Sequence, residues 1–265
     1  MENLIRAEFY RVRCRPWGVI LMAATLLLEV VAMLWAEMLR PPEWGTCIAM
    51  FEVLSTLPIF GMFYGAWCAE IASSRVNKLD ILKNEAVFGI PRWQMFLSRL
   101  CTAALIGCAM ALFLVVSATL LALLFLPGKE ALPGLAAGLL TEFLAALPLW
   151  VASASLYLFL KLAFSSDLTA VLVLFLYDFI LWPILGAWSL IEPRAWVMEL
   201  LCRLHLMTPF WGEGMDITET NFGIAVSVSN RFLMPSPLYC WLLGVGWIVA
   251  TTLAAIWVLR RRELR

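Results

Sequence analysis

Four acidic side chains lie in stretches of this chain that are otherwise hydrocarbon: Glu29, Glu52, Glu142 and Asp178. An ionised carboxylate is costly in hydrocarbon, so such an acid is a candidate for moving protons or cations, or for holding a cationic substrate in a cavity. Asp178, within Leu176-Tyr177-Asp178-Phe179, is the most central of the four along its stretch. The alternative for each is structural, a protonated or hydrogen-bonded acid that ties helices together, with Tyr177 or Ser153 as partners for Asp178. No Lys or Arg falls in the core of these stretches to neutralise them.

A second group of charges stands outside the oil. Glu70, Arg75, Lys78, Asp80, Lys83, Glu85 and Arg92 crowd the segment 69–92. Val76, Leu79, Leu82 and Ala86 recur at three-to-four spacing, which predicts a helix with one apolar and one charged face. Asn77 is a fitting N-cap, and Asp80 in the first turn suits the helix dipole. Gly89 followed by Pro91 is a stop signal. The expected element is a helix of about three turns that offers its charges to a soluble partner on one side of a membrane. The alternative is a helix that rests on the membrane with no partner.

The elements that must position these residues are membrane spans. Of 265 residues, 63% are hydrophobic and only 14% charged, against about 25% charged in ordinary soluble domains. A helix needs about 20 apolar residues to cross roughly 30 Å of hydrocarbon. Six windows qualify, at 17–38, 47–68, 97–126, 136–163, 168–190 and 237–259, and their continuous rather than alternating apolar character favours helices over a barrel. The expected fold is therefore an all-α polytopic membrane protein forming a single domain. The first window is too long for a signal-peptide core and contains Glu29 and Glu37, so it is read as a retained span.

Residues 1–16 read as an amphipathic interfacial helix, with Leu4, Ile5, Phe9 and Val12 able to share a face and Arg6, Arg11, Arg13 and Arg15 drawn to anionic lipid. The long segment 191–236 contains apolar pieces such as Ala195–Cys202 that cannot span, so it is expected to form short external or re-entrant helices. With the N-terminus inside, Lys and Arg divide fourteen to five. Arg6, Arg11, Arg13, Arg15, Arg75, Lys78, Lys83, Arg92, Arg99, Lys161, Arg260, Arg261, Arg262 and Arg265 lie on one side, and Arg40, Lys129, Arg194, Arg203 and Arg231 on the other. The positive-inside rule then places both termini in the cytoplasm. The formal net charge of zero conceals that sidedness and gives no indication of nucleic acid binding.

Several chemistries are excluded. There is no G-x-x-x-x-G-K-[ST]; the one Gly-Lys, Gly128-Lys129, is in an external loop, so the chain does not hydrolyse ATP alone. His205 is the single histidine, which rules out a His-cluster metal site, and it is read as an exposed loop residue. The seven cysteines show no CxxC and read as buried thiols, with a Cys202–Cys240 pair the one external disulfide worth considering. Gly61 and Gly65 form a GxxxG in the second span, read as helix packing.

The order of parts resembles a family. A basic amphipathic start, two spans, a charged cytoplasmic helix, three more spans, a long external segment, a last span and a basic tail are similar to the permease subunits of type-2 ABC exporters. That bacterial group includes bacitracin, lantibiotic-immunity and related drug or peptide exporters. Lys83-Asn84 followed by Gly89-Ile90-Pro91-Arg92 is similar to the family's stretch entering the third span, and Glu70 resembles the acid that opens its coupling segment. Ala7-Glu8-Phe9-Tyr10-Arg11 and Arg260-Arg261-Arg262-Glu263-Leu264 are similar to its ends.

The resemblance covers the whole chain and implies a permease in the bacterial cytoplasmic membrane. It would be completed by a second copy or a related permease and driven by a separate ABC ATPase subunit that binds ATP and Mg. Glu70, Arg75, Lys78, Lys83, Gly89 and Arg92 would couple to that ATPase. A peptide, drug or lipid-like substrate, in a setting such as antimicrobial peptide resistance, would cross between the spans amid membrane lipid. The chain itself would hold no cofactor. Two other readings stay open: an ion- or proton-coupled transporter built on the intramembrane acids, and a non-transporting membrane scaffold or sensor.

Overall fold

A computed structural model describes residues 2–14, 16–38, 46–73, 87–127, 129–164, 166–191, 196–211, 215–220, 223–228 and 236–261. Helices α1 (Glu2–Arg13) and α2 (Trp17–Met38) are followed by α3 (Thr46–Leu54), a 3-10 turn (Leu57–Phe60) and α4 (Gly61–Ser73). Then come α5 (Arg92–Phe125), α6 (Leu132–Ala163), α7 (Asp167–Phe175), a π-helical stretch (Leu176–Leu181) and α8 (Trp182–Ile191). The short α9 (Trp196–Arg203) and α10 (Thr208–Trp211) precede the terminal α11 (Pro237–Arg261).

Six helical runs are long and apolar enough to cross a membrane: Trp17–Trp35, Cys47–Ser73, Arg92–Phe125, Leu132–Ala163, Asp167–Leu185 and Pro237–Arg261. The second extends past 68 to Ser73, and the third begins at Arg92 rather than 97. In both places a charged side chain bonds back into the bundle and lets the helix continue.

The fourth span is the hub. Of its apolar window 78% is buried, against 22% for the first and fifth, and it packs against the second, third and sixth. Gly61 and Gly65 lie against Trp150 of this hub; a Cβ on Gly61 would fall 1.4 Å from Trp150 Nε1, and one on Gly65 would fall 2.2 Å from its carbonyl oxygen. Absence of side chains at both positions lets the second and fourth spans touch. Polar groups lock that contact where water is absent: Trp150 Nε1 donates to Pro58 O at 3.0 Å and Ser153 Oγ to Met62 O at 2.7 Å. Ser155 and Thr251 hydroxyls, 2.6 Å apart, join the fourth span to the sixth.

The fifth span is irregular for a local reason. Pro183 has no N–H to give to the carbonyl four residues earlier, and its ring crowds that turn. The backbone widens to π turns over Leu176–Leu181 just before it, as π-bulges do inside helices. Beyond this span, α9 and α10 are the short helices expected of the segment 191–236. The same segment also holds an antiparallel hairpin, Met215–Thr220 paired with Gly223–Val228, which its helical reading did not anticipate.

Candidate functional site

Buried ions collect at the end of the bundle where both terminal helices meet. On α1 the inward face centres on Glu8, which is buried and receives Arg11 Nη1 at 2.8 Å and Arg99 Nε at 3.6 Å. Arg99, also buried, lies near the start of the third span, so this acid clamps the N-terminal helix to it. Glu8 stood in the sequence only as part of a resemblance. The signal that would have marked it is Arg99, a cation at a span end that needs an anion.

Glu70 plays the matching part at the end of the second span. Tyr157 OH donates to Glu70 Oε2 at 2.8 Å, and Lys161 Nζ bonds the same oxygen. Lys161 also reaches Asp167 at 3.6 Å, so one buried ammonium joins the second, fourth and fifth spans. Arg92, at the start of the third span, donates to the carbonyls of Leu259 and Arg260, the latter at 3.1 Å. Those carbonyls belong to the last turn of α11, where helix carbonyls lack intrahelical partners and the dipole end is negative. Gly89 holds φ 73°, a left-handed conformation open to glycine without strain, at the predicted stop. Arg75, Lys78 and Lys83, with the three-turn helix expected around them, lie outside the described residues.

The intramembrane acids are scattered rather than gathered. Glu29 is fully buried; Ser117 Oγ hydrogen-bonds its Oε1 at 2.8 Å, and its Oε2 meets no donor among the described residues. Asp178 sits buried in the π stretch, and neither of its carboxyl oxygens meets a donor among the described residues. Ser153 bonds Met62 instead. Glu142 lies within electrostatic reach of Glu52 and keeps Oε2 buried without a donor among the described residues, while Glu52 is exposed.

His205 departs from its reading as an exposed loop residue. It is buried, its ring stacks on Tyr177 at 4.1 Å, its Nδ1 accepts the Met207 N–H at 3.1 Å, and its Nε2 lies 3.0 Å from Tyr177 O. Accepting at Nδ1 requires the neutral tautomer that donates from Nε2. Burial pushes its pKa down to about 4, against the opposing pull of the Tyr177 carbonyl. Trp182 Nε1 to Thr208 Oγ1 at 3.0 Å and Trp247 Nε1 to Leu204 O at 2.7 Å add to the fastening of this segment to the fifth and sixth spans. No disulfide joins any of the seven cysteines, Cys202 and Cys240 included.

An apolar cavity of about 210 Å³ lies among the first four spans, bounded by α2, the second span, α5 and α6. Its polar lining is the Thr25 and Tyr64 hydroxyls, which bond each other. Comparison of the chain with protein-family models and with curated proteins finds no match.

Proposed function

We propose that this chain is the membrane-spanning permease subunit of an ATP-driven exporter, coupling hydrolysis by a separate ATPase to movement of a peptide, drug or lipid-like substrate. One observation carries the reading: the two flanks of the charged segment are anchored to different spans. Before it, Glu70 ties the second span to the fourth and fifth through Lys161; after it, Arg92 ties the third span to the end of the sixth. A push on the residues between is therefore passed to nearly the whole bundle, because ion pairs and packed helices transmit displacement rather than absorb it. Arg75, Lys78 and Lys83 are the side chains for a docking ATPase to grip, and the lysine-and-arginine sidedness supports a cytoplasmic position for them. A second copy or a related permease completes the pathway.

Affinity purification from the native membrane tests this directly. A nucleotide-binding ATPase should co-purify with the chain, and Arg92→Glu should lower substrate-stimulated hydrolysis while the complex persists. Recovery of the chain with no ATPase would sink the proposal.

A second reading, proton- or cation-coupled transport, is favoured by Asp178, whose buried carboxyl lacks any described donor. Asp178→Asn should abolish transport in vesicles driven by an imposed pH gradient; transport that needs ATP and ignores the gradient rules this reading out.

A further inference from the structure

The cavity among the first four spans has the chemistry of a cation receptor. Six aromatic rings line it: Phe60, Phe63, Tyr64, Trp67, Phe143 and Trp150. Trp150 is held in place by its bond to Pro58 O and by Phe143 edge-on at 5.3 Å. Aromatic faces carry negative potential and attract ammonium ions, most strongly when water is excluded. An apolar cavity of roughly 150 Å³ already accepts benzene, so about 210 Å³ accommodates a small ring or a short alkyl chain. Phe60 and Trp67 are partly exposed, which opens the cavity sideways to the bilayer.

A carboxylate stands just beyond this lining: Glu29 follows Thr25 by one helical turn and lies within electrostatic reach of the lining residue Tyr64. Lining residues Leu21, Thr25 and Leu28 on α2, and Met110 and Leu114 on α5, form two facing stripes. Continued by a helical step, the stripes reach Glu29 and Ser117, which bond each other at 2.8 Å; residues three and four apart share a helix face. Glu29 is buried, and its Oε2 has no donor among the described residues. Asp178 shares that unmet valence but belongs to the fifth span, which contributes nothing to this chamber's lining.

We propose that this cavity binds a hydrophobic ammonium ion, its alkyl or aryl body against the aromatic rings and its cationic head on Glu29. The ligand supplies what the site lacks, a donor and a positive charge for a desolvated acid. The Thr25 and Tyr64 hydroxyls offer the head further acceptors. The proposal does not rest on the permease reading, since it concerns the purified chain without any ATPase.

Photolabelling of the chain in lipid nanodiscs tests it, with diazirine-bearing octylamine, octanol and octanoic acid as probes and peptide mapping as readout. Saturable amine labelling is expected on peptides covering 21–28 and 57–67, with roughly tenfold weaker labelling by the acid. Ala24→Phe, or Leu28→Phe should the first variant misfold, fills the chamber and should abolish saturable labelling by all probes. Glu29→Gln should bring the amine down to the level of the alcohol while alcohol labelling persists, which shows the chamber intact. Labelling that does not saturate, survives both filled variants, or treats amine and acid alike overturns the proposal, whether or not an ATPase is later found.

Discussion

Glu70 and Asp178 are both carboxylates within apolar helices, and they meet opposite surroundings. Glu70 receives a buried ammonium and a tyrosine hydroxyl, while Asp178 meets no donor among the described residues. Glu8, paired with Arg11 and Arg99, belongs with Glu70 at the end that carries the termini. Glu29, with one oxygen unmet, belongs with Asp178 in the interior. An ion pair that ties elements together explains its own presence. An acid that gains no cation and few hydrogen bonds lowers stability, and its presence in a membrane span marks it as a candidate for use. The end of the bundle is thus a set of clamps, and the interior holds the candidates for chemistry.

The strongest test of that contrast is to remove a clamp cation. Lys161→Met leaves Glu70 and Asp167 without their shared ammonium, and losing one partner of a buried pair costs roughly 3–5 kcal/mol. Because the Glu70 and Asp167 side chains are 37% and 34% exposed, the lower end of that range is expected in detergent unfolding. Adding Glu70→Gln should restore part of the loss.

Acid should act through His205 at nearly the same scale. Its folded pKa of about 4 lies below the ordinary 6.5, so the unfolded chain binds the extra proton between those values. Stability is then fully present above pH 6.5 and falls by roughly 3 kcal/mol as pH drops toward 4. A His205→Phe variant should show a flatter profile across that window.

The interior acid predicts the opposite sign. Asp178→Leu should raise stability by about 1–3 kcal/mol, the penalty of a buried polar group without partners, while abolishing any gradient-driven transport the proton-coupled reading proposes. A loss of stability on this substitution would move Asp178 into the clamp group. The smallest effect belongs to Arg92→Ala, which removes two bonds from a partly exposed guanidinium. About 1 kcal/mol is expected, read as faster amide exchange in the last turn of α11.

Much of this arrangement was legible in the chain. Window length and hydropathy located all six candidate spans because a bilayer imposes a length on each one independently. Gly89 and Pro91 marked a break in the chain because local backbone preference decides such stops, whereas the third span, expected from 97, begins at Arg92. Misreadings arose where a side chain found a distant partner. Glu70 appeared to open a polar run, yet it closes a helix because Lys161 lies 91 residues away in sequence and beside it in space. His205 looked solvated until the π stretch ending before Pro183 offered it the Tyr177 carbonyl.

The sequence by itself thus determined that this is a multi-pass helical membrane protein, which acids sit in its oil, and that it carries no phosphate-binding loop of its own. Composition and short-range periodicity suffice for those. Tertiary structure alone decided which acids are clamped, which are left unmet among the described residues, and that an aromatic chamber forms one helical turn from Glu29. Pairing depends on helices far apart in the chain coming within a few ångströms, and the fourth span, buried against its neighbours, sets who meets whom.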